Sequence, residues 1–552
     1  MSTIESGGPQ EQDGSAQTRA QTLLREATIP LGEGVAGRRP ARYAVKLDGV
    51  GGAGTRPEEL AAVFSPEPVR IEPLSPSDPD VFLLVFPHRS FSSDTTAVFE
   101  LGYLIDDVPG VSAAEPDIAT DFYPDPDQPR RLGEESADGF MAGCWVGEDS
   151  RLPDARWALK AIRAPEAWAW SDAQGRPSRG ERIVVAQPDT GVVRHKELDL
   201  ERRVASFDVL DRDRDPEDPL NYRGNTGHGT ATGSVVVSGG NNAMSGCAPR
   251  AYHMPIRCIE SVVRVSQVPV AQAIDFAVDN GAHVVTMSLG GLPSFTLARA
   301  LARAVAADVI VMAAAGNCVG TVVWPARYDA CIAVAGVNKD DLRWKGSCRG
   351  YGVDVSAPAE NVYRARPDGA SPTVESSAVG QGEGTSYAVA LTAGVAALWL
   401  AHHGRANLVH QARLRGETLQ DMFSRLLKAT ARRPPDWDAA NFGAGIVDAE
   451  ALLKAHFDLG RGREGAFTVS VDPALPVRAL VAERLGPTAV DPQLDYDRYG
   501  PELAFHLLEE ARGRPTPGGG AEEAGSPGTP PTGDLRDAVT NPELRAHLER
   551  RA

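Results

Sequence analysis

Four short stretches of this 552-residue chain carry side chains that could do chemistry together. Asp189 lies in ERIVVAQPDTG, His228 in NTGHGTATG, Asn317 at the end of VIVMAAAGN, and Ser386 in GEGTSYAVALTAG. The tripeptide Asp189-Thr190-Gly191 has two chemical uses. It can supply one of a pair of carboxylates that share a proton and activate water, but that mechanism needs a second such aspartate. No second D-[ST]-G occurs in the chain, so this use fails. It can instead end a buried strand with a carboxylate that orients an imidazole, which then takes the proton of a hydroxyl nucleophile. His228 sits between Gly227 and Gly229, which permit close backbone approach. Ser386 opens a long apolar helical pattern, where free N–H groups and the helix dipole favour a developing oxyanion. Asn317 follows a strand at its C-terminal edge, where the active sites of parallel sheets collect. Taken singly each signal is weak: Asp is a common turn residue, Ser a common helix cap, and a loop Asn often bonds its own backbone. The ordered set is what carries the chemistry.

These residues must be positioned by elements that the hydrophobic pattern predicts. Residues 152–456 alternate between apolar strand-like runs (ERIVVAQPD, AHVVTMSL, VIVMAAAG) and helical segments (PVAQAIDFAVDNG, SFTLARALARAVAAD). That alternation predicts an α/β domain with a mostly parallel sheet flanked by helices. Before it, residues 41–117 run β-α-β-β-α-β, the order of a small ferredoxin-like α+β unit. Residues 1–40 are polar without sustained period and are expected to be disordered. Residues 118–151 read as an acidic, proline-bearing connector, and 457–512 as a C-terminal extension of unassigned structure. A Pro/Gly linker at 513–533 leads to a short helical tail at 534–552, whose partner the sequence does not name.

The formal net charge of −18 disfavours nucleic acid and anionic membrane as partners. No run approaches the roughly 20 apolar residues of a membrane span, and the N-terminus lacks the basic and apolar regions of a secretory signal. The expectation is a cytoplasmic protein. Cys144, Cys247, Cys258, Cys318, Cys331 and Cys348 have no metal-ligand spacing, and reduced thiols are expected, with a Cys318–Cys331 bridge left open. Asp211, Asp213, Asp215, Glu217 and Asp218 in LDRDRDPEDP offer hard oxygen ligands, mostly at alternate positions. Arg212 and Arg214 interleave them and no EF-hand glycine or closing glutamate follows, so a solvated loop is preferred over a calcium site.

The four motifs, in this order and at these separations, resemble the subtilisin-like serine protease (subtilase) family. The resemblance spans roughly residues 152–456. It extends to RWALKAIRAPEAWAW at the start, TMSLGG, VVWPARYDACIAVAGV, and FGAGIVDAEALL at the close. It implies a subtilisin-like fold and a serine endopeptidase hydrolysing protein or peptide substrates. Asp189 would orient, His228 would act as general base then acid, and Ser386 would attack. Asn317 and the backbone N–H of Ser386 would hold the oxyanion. Ser288, Leu289, Gly290 and Gly291, with Ala315 and Gly316, would line the peptide cleft and its first pocket. No cofactor is required by this chemistry; the resemblance adds Glu197, and the stretch SGGNNAMSG, as weak calcium candidates. The unit at 41–117 stands where many family members have a propeptide, an intramolecular inhibitor that would be cut off within 117–151. Two features depart from the family pattern: Ala390 stands where a proline is common, and His228-Gly229 is followed by Thr230-Ala231-Thr232-Gly233-Ser234 rather than the usual T-H-V-A-G. Alternatives are a protease dedicated to one partner, a peptide ligase using the same acyl-enzyme, or a pseudoprotease that binds peptide without cutting.

Overall fold

The computed structural model describes residues 9–31, 39–48, 57–118, 152–222, 225–240, 244–264, 267–369, 371–461, 474–512 and 529–551. The connector beyond Ile118, Cys144 and most of the Pro/Gly linker lie outside them.

The runs that lack polar alternation are the strands buried on both faces, as parallel sheets require. Seven of them form one parallel sheet. Its order across is Val355–Pro358, Ile332–Val337, Ile310–Ala314, Val284–Met287, Val184–Asp189, Tyr252–Arg257 and Phe207–Asp208. Successive residues of a strand point to opposite faces, and here they fill two different cores. Val311 and Ala313 pack with the helices Val268–Asp279 and Phe295–Ala306. Ile310, Met312 and Ala314 pack with the helices His228–Val237, Thr385–His403 and Leu419–Thr430. Thr385–His403, the long apolar helix that the sequence places in the middle of the domain, is by length and composition apolar enough to cross a membrane, yet it is buried from Thr385 to His402. It is a core helix of the sheet. The strand Val184–Asp189 has the later strands on one side and Tyr252–Arg257 on the other. This is a topological switch point, and the crevice there opens at the strands' carboxyl ends. Asp189 is the last residue of that strand.

The N-terminal unit is a four-stranded antiparallel sheet in the order Arg70–Ser75, Asp78–Phe86, Ala41–Leu47, Val111–Pro116. With the helices Pro57–Ala62 and Thr95–Asp106, this is the ferredoxin-like arrangement expected. Residues 1–40, expected to be disordered, contain a helix at Pro9–Ala27 and a strand at Thr28–Pro30 paired with Arg89–Phe91. The cause is a short amphipathic period inside a polar segment. Ala20, Leu23, Leu24 and Ala27 follow the i, i+3, i+4, i+7 spacing and pack into the core of the unit.

The C-terminal extension, which the sequence leaves unassigned at 457–512, is helical where it is described. The helices Ala474–Leu485, Tyr496–Arg512, Gly533–Ala538 and Pro542–Glu549 are ordered by burial. Leu480, Leu503, Phe505, Leu535 and Leu544 share one core with Phe99 and Tyr103 of the N-terminal unit and Tyr328 of the α/β domain. The other face of the N-terminal sheet, through Ala44, Leu83 and Val85, covers Val268 and Phe295. The unit is therefore packed on both sides, and the tail's partner is the chain itself.

Cys318 is disulfide-bonded, against the expectation of reduced thiols. Cys247, Cys258, Cys331 and Cys348 are buried and outside any disulfide, so the Cys318–Cys331 bridge is not made.

Candidate active site

The switch-point crevice collects Asp189, His228 and Ser386 from three different elements. Asp189 is 1% exposed. Its Oδ1 accepts from the backbone N–H of Thr190 at 2.7 Å and lies 2.8 Å from His228 Nδ1, while Oδ2 accepts from the Thr232 hydroxyl at 3.1 Å. A carboxylate so held is an acceptor, which puts the proton on His228 Nδ1 and leaves Nε2 to act as base. That Nε2 lies 3.2 Å from Ser386 Oγ. His228 begins the helix His228–Val237, and the glycines on either side are sterically required. Gly227 has φ +77°, and a Cβ at Gly229 would lie 2.1 Å from the carbonyl oxygen of Gly191. The backbone of the histidine turn thus rests directly on the D-T-G turn. Gly229 is the closest point of that contact.

Ser386 is the second residue of the helix Thr385–His403, entered through Gly384 at φ +145°. Asn317 is oriented by the same helix end. Its Oδ1 accepts from the Thr385 backbone N–H at 3.0 Å and from the Thr385 hydroxyl at 2.8 Å. Two donors on one amide atom identify that atom as the oxygen, so Nδ2 is left as a donor. A Cβ at Gly384 would lie 3.4 Å from Asn317 Nδ2 and 3.9 Å from Ser386 Cβ, so that amide donor and the serine flank a common point. A second donor direction comes from the Ser386 N–H in the helix's first turn.

Behind these groups lies a layer of buried polar side chains. Asp218, fully buried, accepts from the Thr190 hydroxyl at 2.9 Å and the Gly227 N–H at 2.7 Å. Burial raises its carboxyl above the usual carboxylate range. The Thr190 oxygen in turn accepts from Gly229 N–H at 3.0 Å, so Asp218 ties the aspartate turn to the histidine turn. On the other side, Gln187 Nε2 donates to Thr232 Oγ1 at 2.6 Å and to the Gly229 carbonyl at 2.9 Å. Its Oε1 lies 2.6 Å from His253 Nε2. Burial, reinforced by Arg203, lowers the His253 pKa to about 3, so the ring is a neutral donor. Asp218 was visible in sequence only as one more acid in an acidic loop; Gln187 and His253 carry no sequence signal beyond being polar in strands.

Ser288 donates its hydroxyl to the Ser386 carbonyl at 3.1 Å, and Leu289 is buried beside it. Gly290 and Gly291 pair in parallel with Val263 and Arg264. Their N–H groups are taken by Val262 O at 2.7 Å and Trp324 O at 2.8 Å, so this edge is already paired within the chain. Ala315 accepts from Val323 N–H at 3.1 Å. Val323 Cγ2 lies 2.5 Å and 2.9 Å from where Cβ atoms would stand on Gly290 and Gly316, so the two walls meet across Val323.

The calcium candidates are not brought together. Asp211 pairs with Arg257, which also holds Asp208 and Glu260. Asp213 folds back on the Asp208 and Asp215 backbone, and Glu197 accepts from the Ser238 hydroxyl in a separate buried spot. Among the described residues no group of three or more His, Cys, Asp or Glu could hold a metal ion. An arginine at the centre of the acidic loop does not fit a calcium site.

Comparison with known proteins gives the same part of the chain. The profile of peptidase S8, the subtilase family, matches residues 180–445. M-protease of Shouchella clausii (strain KSM-K16) is 33% identical over 245 residues, 44% of this chain and 58% of that protein, so the chain spans less than two thirds of its length. Subtilisin Savinase of Lederbergia lenta is 33% identical over 245 residues, 44% of this chain and 82% of that protein. Thermitase of Thermoactinomyces vulgaris is 32% identical over 267 residues, 48% of this chain and 88% of that protein.

Proposed function

The chain belongs to the subtilase family, and on that premise we propose that it is a serine endopeptidase working through an acyl-enzyme on Ser386. One observation carries the proposal: His228 bonds Asp189 through one ring nitrogen, at 2.8 Å, and faces Ser386 Oγ with the other, at 3.2 Å. Ser386 Oγ attacks the peptide carbonyl carbon while its proton passes to His228 Nε2. The imidazolium so formed is stabilised by Asp189, which stays ionised. The carbonyl electron pair moves onto oxygen, and that oxyanion is held by Asn317 Nδ2 and the Ser386 N–H. Collapse of the intermediate breaks the C–N bond, and His228 returns its proton to the leaving amine. Water, deprotonated by the same imidazole, then releases the acid and restores Ser386. The steps use only these side chains and water, so no cofactor enters.

The N-terminal unit is proposed as an intramolecular inhibitor. Its sheet packs on the helices that begin at Val268 and Phe295, and Glu115 accepts from the Phe295 N–H at 2.9 Å and the Ser294 hydroxyl at 2.7 Å. A carboxylate there complements the positive end of that helix.

The test is labelling with a fluorophosphonate, followed by digestion of an unfolded protein. Wild type should take one label on Ser386 and degrade the substrate, and Ser386→Ala should do neither. Labelling without any digestion would refute the endopeptidase and favour a dedicated or non-cutting role.

A further inference from the structure

The segment that starts at Asn317 and ends at Arg327 forms one side of the proposed site, and it is gripped from behind by the C-terminal extension. Glu483, on the helix Ala474–Leu485, accepts from the Thr321 hydroxyl at 2.8 Å, from Arg327 Nη2 at 2.7 Å and from the Tyr351 backbone N–H at 3.0 Å. Its neighbour Arg484 donates to the Val319 carbonyl at 3.0 Å, and the Val319 N–H donates to the Asn317 carbonyl at 2.9 Å. Arg327 is only 1% exposed. It donates to the Pro476 carbonyl of the same helix, to Thr321 and to the Val322 carbonyl, and lies over the rings of Trp324 and Tyr351. A buried guanidinium of this kind needs its counter-charge, and Glu483 is the carboxylate that supplies it.

We infer that Glu483 and Arg484 are positioning residues for the Asn317–Arg327 segment, so that the C-terminal extension completes the oxyanion side of the site. The inference rests on the peptidase proposal above. The segment's first residues are held by Thr385 at Asn317 and by the Gly346 carbonyl, which accepts from Cys318 N–H at 2.8 Å. From Val319 onward the loop is held partly within the α/β domain, where the Val323 N–H reaches the Ala315 carbonyl, the Trp324 carbonyl accepts from the Gly291 N–H and Cys348 meets the Val319–Thr321 backbone, and partly by the extension, through Arg484 at the Val319 carbonyl and Glu483 at the Thr321 hydroxyl. The oxyanion must meet a donor within a few tenths of an ångström, so a loop released at Val319 and Thr321 lets the amide of Asn317 drift from that place.

The experiment is a double-mutant cycle in the full chain, with Glu483→Ala, Asn317→Ala and the two combined, read as kcat and KM on a peptide anilide beside the rate of fluorophosphonate labelling. Glu483→Ala should lower kcat about five- to tenfold with KM within about twofold, and cost less than about twofold more when Asn317 is already Ala. Equal losses in both backgrounds would mean that Glu483 only holds the fold together, and would overturn the inference; so would an unchanged kcat. Should Glu483→Ala fail to fold, Arg484→Ala removes the grip on Val319 and keeps Glu483 to pair with Arg327, with the same coupling to Asn317 expected and its absence decisive. A wild-type chain that takes no fluorophosphonate overturns the peptidase proposal and this inference together, whereas a labelled, active wild type with additive losses overturns the inference alone.

Discussion

Replacing Asn317 separates two jobs that one side chain does. Its Nδ2 faces the site beside Ser386, and its Oδ1 takes two donors from Thr385, a residue with no exposed surface. Asn317→Ala removes both. Loss of an oxyanion donor costs about 10²–10³ in kcat, or roughly 3–4 kcal/mol of transition-state stabilisation. Leaving the buried Thr385 N–H and hydroxyl without their acceptor costs a further ~1–3 kcal/mol of folding stability. Asn317→Asp keeps an acceptor for Thr385 but removes the amide donor and places negative charge beside the developing oxyanion. It should therefore lose at least as much kcat as the alanine variant while holding its Tm much closer to wild type. Steady-state kinetics on a peptide anilide, with thermal unfolding of the same preparations, gives both numbers. If both variants keep kcat within about threefold of wild type, Asn317 is a helix-end ligand and nothing more, and the oxyanion must be held elsewhere. A KM change with constant kcat would refute the reasoning equally, since it would mean ground-state binding.

Gly229→Ala should fail to give soluble, active protein, because its Cβ would stand 2.1 Å from the Gly191 carbonyl oxygen and 3.3 Å from Asp189 Cβ; normal expression and activity would show that the two turns do not touch. Acid should weaken the fold through its buried histidines. Burial lowers His253 to about 3 (with help from Arg203), His283 to about 4 (with Arg405), and His403 to about 4 (with His402). The unfolded chain takes up protons near pH 6.5 that the folded one refuses, so stability is constant above that value and falls as pH drops below it. Asp218 and Glu115, raised by burial, act in the opposite sense wherever they titrate, so the window to read is the one that opens below about 6.5, where the histidines of the unfolded chain take up protons. A Tm that is flat or rises as pH falls through that window contradicts the assignment. Cutting the connector at a protease site engineered within 119–151 should leave the N-terminal unit bound, because Asp78 pairs with Arg299 and Arg303 while Tyr103 donates to Glu502 at 2.6 Å and Arg498 pairs with Asp106 and Asp107. Its separation on gel filtration would show that the connector alone retains it.

Much of the α/β domain was legible because its strands are apolar without alternation and its helices keep a regular period over long runs, as in VIVMAAAG and SFTLARALARAVAAD. The helix Pro9–Ala27 was not, since its apolar stripe is only four residues within a polar segment. The helices Ala474–Leu485 and Tyr496–Arg512 were not legible, because they are ordered by a core they share with Phe99, Tyr103 and Tyr328, not by their own propensity. Cys318 was placed among reduced thiols on grounds of compartment, which say nothing about which cysteines the fold brings together.

By itself the sequence determined which reacting groups exist, their order, and the glycines that make room for them. These are local matters: a residue type, a turn chemistry, a strand that must end where Asp189 stands. Only the tertiary structure decided that Asp218 joins the D-T-G and histidine turns, that Gln187 and His253 back the aspartate, that the Arg257 guanidinium pairs with Asp208 and Asp211 of the acidic loop, and that Glu483 reaches the segment beginning at Asn317. The reason is physical. A buried charge or polar group is settled by whichever partner satisfies it, and Glu483 and Thr321, 162 residues apart, meet only once the sheet, its helices and the extension have packed.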